Sequence, residues 1–201
     1  MTKVITYNIL NELLCKISGF KSDKEYLDPE YRYNLLVVKL HEWIKEDTII
    51  CLQEISLNMY CKLQTFFDSY DYCFIATHYG AVYNNYMGVG IAYPKKTKPL
   101  EIIISVPATL AKKYITYTES NYISTIIPYF VKNLYQTLYQ EIVTPTRTEN
   151  DILKMTSDNW NRMITIKFEQ LYVSTYHMPC KFKDPELMSV YLACCLERCG
   201  F

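Results

Sequence analysis

The stretch Ile49-Ile50-Cys51-Leu52-Gln53-Glu54 constrains this chain more than any other. Its apolar run reads as a short strand buried on both faces, in the middle of a sheet with layers on either side. The two polar residues then fall at the strand's exit. An ionised Glu is almost never buried without a partner. Glu54 therefore either meets a positive or hydrogen-bonding group at the sheet's edge or opens a solvated loop.

Composition narrows what such a strand can belong to. With 201 residues, 50% of them hydrophobic, the chain can bury a core as a single domain. The 21 Lys and Arg balance the 21 Asp and Glu, which argues against coating nucleic acid through bulk charge but leaves room for a local basic groove. Thr2 and Lys3 lead straight into a strand-like run with no secretory leader, and no apolar stretch is long enough to cross a bilayer. The eight Cys lack paired zinc spacing. Cys51 and Cys73 lie in apolar runs and behave as small hydrophobes. The expected setting is reducing and intracellular, cytoplasmic or nuclear. Most of the 20 Tyr are expected to pack rather than to stack on bases.

Along the chain, Lys3 to Tyr7 is a β-type run that stops at Asn8-Ile9-Leu10-Asn11, because Asn favours turns over strands. An irregular loop is expected over 12–27. Asp28 is an N-cap, Pro29 suits the first helical position, and Leu36, Leu40, Trp43 and Ile44 recur at helical spacing. Strand, helix and strand then form a βαβ-like unit whose strand ends share one edge. Ser56 caps a second helix bearing Met59, Leu63, Phe66 and Phe67. Further strands are expected at 71–76, 87–93 and 100–106, with a loop at 77–86. Gly88 and Gly90 allow close approach within their strand.

Residues 107–158 read as an insertion packed on the sheet, with Pro128 opening a helix that ends at Thr144-Pro145-Thr146. Period-two alternation over 161–168 and 171–176 reads as a hairpin turning at Glu169-Gln170. It ends on His177. A last helix follows Asp184-Pro185-Glu186.

Three strands thus end on Asn8, Glu54 and His177. Phosphate-ester chemistry uses this mixture. A hard cation such as Mg2+ takes oxygen ligands, one or two of them carboxylate, together with water and substrate phosphate. A neighbouring His can donate to developing negative charge. Arg162, Asn11 and Lys181, with Lys183, are candidate phosphate or substrate contacts near the same edge. Each residue has a plainer reading beside this one. Asn8 is a turn residue, His177 a hydrogen-bonded strand-end histidine and Arg162 half of an ion pair. Cys180, Cys194, Cys195 and Cys199 are poorly spaced for a metal cluster.

These motifs, in this order, resemble the endonuclease/exonuclease/phosphatase superfamily, in its deadenylase and 2′-phosphodiesterase branch. The resemblance is carried by Tyr7-Asn8-Ile9-Leu10-Asn11, Leu52-Gln53-Glu54, Met87 to Tyr93, Asn161-Arg162 and Thr175-Tyr176-His177, and it spans 3–105 and 160–198. It implies a DNase I-like α/β fold, a two-sheet sandwich with outer helices and a site at one end of the sheets. It implies Glu54 as principal ligand of Mg2+, with Mn2+ an alternative. Asn8 would orient the metal or phosphate, and His177 would bind the scissile phosphate. The substrate implied is a phosphate ester, RNA and DNA included.

The superfamily also carries a later Asp-x-Asn and a final His, which do not occur after His177 here. The chain is accordingly expected to lack the fold's final strands. Its open sheet edge would then suit a protein partner. Three functions remain: a Mg2+-dependent phosphoesterase, an inactive binding protein of the same fold, or a fragment of a complete enzyme.

Overall fold

The computed structural model describes residues 2–17, 21–80, 87–112, 149–179 and 183–199. Two compact units emerge. One comprises Met1–Ser105 with Arg162–His177, the other Val106–Asn161 with Met178–Phe201.

The first unit is built on two sheets. β1 (Val4–Asn8) and β2 (Ile49–Gln53) run parallel, joined through α1 (Glu12–Ile17), α2 (Lys24–Leu27) and α3 (Pro29–Lys45). β2 pairs antiparallel with β4 (Met87–Pro94), and β4 with β3 (Tyr72–Tyr79), giving the order β1-β2-β4-β3. The second sheet is antiparallel, β5 (Glu101–Ser105), β6 (Met163–Lys167) and β7 (Tyr172–Tyr176), in that order. Its hairpin closes where the Phe168 amide donates to the Leu171 carbonyl at 2.8 Å.

β2 is buried on both faces, as its apolar run requires. Ile50 and Leu52 point to one side, into a cluster with Leu36 and Leu40 of α3 and Leu63, Phe66 and Phe67 of α4 (Leu57–Ser69). Ile49 and Cys51 point to the other, where they meet Ile164, Ile166 and Val173 of the second sheet. The unit is thus an α/β sandwich: helices over one face of the four-stranded sheet, the three-stranded sheet over the other. Burial pushes the Cys51 thiol up to about 12, so it packs as a neutral hydrophobe.

Local chemistry sets the helix starts. The Asp28 carboxylate accepts from the Tyr31 amide at 2.9 Å, and Ser56 Oγ accepts from the Met59 amide at 3.0 Å. Gly90 sits where a Cβ would lie 2.6 Å from the Phe74 ring, and Gly88 where one would lie 2.7 Å from the Thr77 carbonyl. Those contacts require glycine on β4.

In the second unit, a 3₁₀ turn (Pro107–Leu110), α5 (Glu149–Ser157) and α6 (Pro185–Cys199) surround Ala108, Ile152, Leu187 and Tyr191. The Asp184 carboxylate caps α6 by accepting from the Leu187 amide at 3.3 Å.

Three expectations need correction. The segment 12–27 is not wholly irregular, since it contains α1 and α2. Both are too short to announce themselves by periodicity. β3 continues through Thr77-His78-Tyr79 where a loop was expected, and these residues pair with Val89, Gly88 and Met87 of β4. Among the described strands, β1 and β7, which lead to Asn8 and His177, are sheet edges where central positions were expected, whereas β2 is interior to its sheet. The helix expected after Pro128 and its end at 144–146 lie outside the described residues.

Candidate functional site

Parallel pairing brings the exits of β1 and β2 side by side, with Asn8 opposite Gln53. Both strands leave the sheet through a side-chain-bearing residue in the left-handed region, Leu10 with φ 56° and Glu54 with φ 62°. Such a conformation is uncommon for residues other than Gly, Asn and Asp, and costs of order 1 kcal/mol or more. The β1 exit is held from several directions. The Leu10 amide donates to Asn8 Oδ1 at 2.8 Å, an Asx turn. Arg32 Nη2 donates to the Ile9 carbonyl and, at 3.3 Å, to the Leu10 carbonyl. Asn11 then starts α1, its Oδ1 accepting from the Leu13 amide at 3.0 Å.

These turns converge on Glu54, which is only 8% exposed. Asn8 Nδ2 donates to Oε1 at 2.8 Å, and the Asn11 amide donates to Oε2 at 3.0 Å. His177 Nε2 lies 3.3 Å from Oε1. Burial pushes the Glu54 carboxyl up, but hydrogen bonds from His177, Asn8 and the Asn11 amide outweigh it and bring it down from 4.5 to about 2. Glu54 is therefore a buried carboxylate that stays ionised and is neutralised by convergent N–H groups.

His177 follows β7, and its second ring nitrogen, Nδ1, lies 3.1 Å from the Tyr79 hydroxyl at the end of β3. Gln53 makes a parallel tie between the sheets, its Nε2 donating to Thr6 Oγ1 at 3.0 Å and to Thr175 Oγ1 at 2.9 Å. The mouth of the sandwich is thus laced by side chains of β1, β2, β3 and β7.

The structure brings Asn8, Glu54 and His177 together and gives the other expected residues different settings. Asn11 contributes its backbone amide to Glu54, while its buried side chain caps α1. Arg162 is exposed and donates from Nη1 to Thr77 Oγ1 at 3.3 Å. Thr77 and Tyr79 alternate on one face of β3, so Arg162 stands on the Tyr79 side. Lys181 lies outside the described residues. His41 packs edge-on against Phe66 and Tyr70, and His78 against Tyr60. Tyr79 and the Gln53–Thr175 tie escaped the reading of the sequence. No period-two signal singles out Tyr79, because the buried positions of β3 change face between Phe74 and Thr77.

Among the described residues, no group of three or more His, Cys, Asp or Glu side chains could hold a metal ion. The donor set fits only a hydrated hard cation, since Mg2+ accepts a single carboxylate and retains several waters. Glu54 suits that task by being ionised, and among the described residues Oε2 accepts from the Asn11 amide. Asn8 turns its amide nitrogen to Glu54 and its oxygen to Leu10, so in this arrangement it orients the carboxylate.

No protein-family model matches the chain, and no curated protein matches it in sequence. Solved structures do. The crystal structure of ANGEL2, a 2′,3′-cyclic phosphatase, aligns with a TM-score of 0.58 and 15% identity, covering 94% of this chain and 44% of that one. ANGEL2 in complex with adenosine-2′,3′-vanadate aligns with a TM-score of 0.59 and 14% identity over the same shares. The chain therefore spans less than half the length of these structures. The likeness shows a DNase I-like α/β sandwich fold.

Proposed function

We propose that this fold carries a phosphoesterase-type site centred on Glu54, acting on phosphodiester or phosphomonoester bonds with Mg2+ or Mn2+ as cofactor. The observation that supports it best is the ionised, buried Glu54 held by Asn8, Asn11 and His177 at the mouth of the sandwich. A carboxylate kept charged in a buried place, on a residue with positive φ, is a combination that clusters at functional sites. Glu54 would be the cation's protein ligand, and the cation, when bound, would polarise the phosphoryl oxygen. Asn8 and the Asn11 amide fix the direction in which the carboxylate faces. Arg162, on the rim, would attract the anionic substrate.

A nucleoside 2′,3′-cyclic phosphate is the natural first substrate to offer, since it is the class named for the ANGEL2 structures. A second reading, a phosphate-ester binding protein without turnover, is favoured by one feature. Among the described residues, the groups that meet Glu54 are Asn8, Asn11 and His177, with no second carboxylate to act as base for the attacking water. Turnover by these 201 residues is accordingly expected to be very slow or absent.

Calorimetry with Mn2+ and a non-hydrolysable cyclic phosphate should show weak binding that Glu54→Gln abolishes. Equal binding by the variant would remove Glu54 from this role. Brisk Mg2+-dependent hydrolysis by the wild-type chain, lost in Glu54→Gln, would discard the binding-only reading.

A further inference from the structure

We propose that the cleft bounded by the β1 exit, α2 and α3 is a nucleobase subsite, so that the neighbouring Glu54 site serves an oligonucleotide. The substrate assignment rests on the phosphoesterase reading above, whereas the base subsite does not. The cleft has a volume of about 180 Å³, and Tyr7, Tyr26, Arg32, Leu35 and Lys39 are among the side chains that line it. Pockets for drug-sized ligands run to about 300–1,000 Å³. One ring system therefore fits inside, and the sugar and phosphate attached to it stay at the rim.

The lining suits a flat aromatic group. Unstacked bases pack on Tyr rings and on Arg planes, and every base has a face to offer. Tyr26 is 49% exposed, Leu35 48% and Tyr7 37%, so three large hydrophobic side chains gather round one cleft. Both rings are braced. Tyr7 stands edge-on to Trp43 with 5.6 Å between centroids, and Tyr26 edge-on to Tyr31 with 5.8 Å. A braced ring has little freedom left to lose when a base stacks on it.

The charges suit a phosphate on that group. Arg32 and Lys39 form no ion pair among the described residues. Arg32 Nη2 donates to the neutral carbonyls of Ile9 and Leu10, and Lys39 Nζ lies 5.9 Å from the centre of the Tyr7 ring. Glu12, the acid of the lining, accepts from Asn58 Nδ2 at 3.1 Å. Two cations against one acid leave the cleft positive, which favours a nucleotide over an uncharged apolar ligand.

The cleft also shares a turn with Glu54. Ile9 and Leu10 line it, and the residues flanking them, Asn8 and Asn11, donate to the carboxylate. Adjacent Cα atoms are about 3.8 Å apart. A strand whose phosphate lies at Glu54 thus has a neighbouring base within reach of the cleft.

The test is ligand-observed NMR of the full chain with adenosine 5′-monophosphate, first in the presence of a chelator. The adenine protons should receive the strongest saturation from the protein. Ribose 5-phosphate, which lacks the base, should bind at least about tenfold more weakly. Tyr26→Ala should lower the nucleotide's affinity by about tenfold, and Lys39→Glu severalfold, while Glu54→Gln leaves it unchanged. Both substituted cleft positions are exposed, so the fold should tolerate them. No binding by wild type, equal binding of ribose 5-phosphate, or equal binding by Tyr26→Ala and Lys39→Glu would overturn the proposal. So would a loss confined to Glu54→Gln, which would put the base at the carboxylate. Added Mn2+ should then broaden the bound adenine protons in wild type and not in Glu54→Gln. Cleft binding without that broadening would remove the cation from Glu54, and with it the phosphoesterase reading, and leave the base subsite standing.

Discussion

β1 and β2 are parallel neighbours, each leaves its sheet beside a polar residue, and each exit contains a residue with positive φ, yet they are made differently. β2 is buried along its apolar run, whereas β1 is exposed at four of its five positions, being an edge among the described strands. The charged group is on the buried strand and the neutral amide on the exposed one. This division has an electrostatic logic. Hydrogen bonds to a carboxylate strengthen as water is excluded, so a packed strand can present Glu54 with little freedom. The edge strand supplies adaptable donors, Asn8 and the turn that follows it. The packed strand sets position and the edge strand sets orientation.

The largest expected effect breaks the symmetry between the strands directly. Leu52→Ala, at a fully buried position on β2, should cost about 2–5 kcal/mol of stability. Val4→Ala, at a position 44% exposed on β1, should stay within about 1 kcal/mol of wild type. Denaturant unfolding of both variants measures the contrast, and equal losses would show that β1 is covered in solution.

Next comes pH. The folded Glu54 carboxyl lies at about 2, below its usual 4.5, so the folded state binds its proton less readily than the unfolded chain. The resulting stability is fully present above about pH 4.5 and is lost as pH falls through about 2. After discounting for solvent screening it amounts to on the order of 2 kcal/mol. Comparing wild type with Glu54→Gln in acid denaturation isolates this contribution. A gap between the two that stays constant across that window would mean that Glu54 is not ionised by its partners.

The smallest effect concerns the turns. Leu10→Gly removes the left-handed penalty but also some apolar burial, and should fall within about 1 kcal/mol of wild type. Leu10→Val adds β-branching at the same φ and should be less stable than Leu10→Gly by about 1–2 kcal/mol. If the two variants unfold together, the turn at residue 10 relaxes in solution and does not hold the Asn11 amide on Glu54.

Much of this architecture is local enough to be legible in the sequence. Asp28, Ser56 and Asp184 cap helices because a short polar side chain reaches an amide a few residues onward, whatever the rest of the chain does. The apolar run of β2 demands cover on two faces, and the hairpin over β6 and β7 follows from alternation alone. The glycines of β4 announced close approach, though not which ring or carbonyl would come near. The sequence could also name Asn8, Glu54 and His177 as candidates, since each is a polar residue placed where a strand gives out.

What only the tertiary structure decided is which group meets which atom. Asn8 and Glu54 are 46 positions apart, and Tyr79 and His177 are 98 apart. No local preference couples such pairs. Their meeting depends on parallel pairing in one sheet and on how the second sheet lies over it. The same holds for Arg162, which reads as a phosphate contact in the sequence and rests on Thr77 in the fold. Residue type determined what each side chain could donate or accept, while the stacking of two sheets determined to whom, because hydrogen-bond geometry is satisfied only at distances that packing sets.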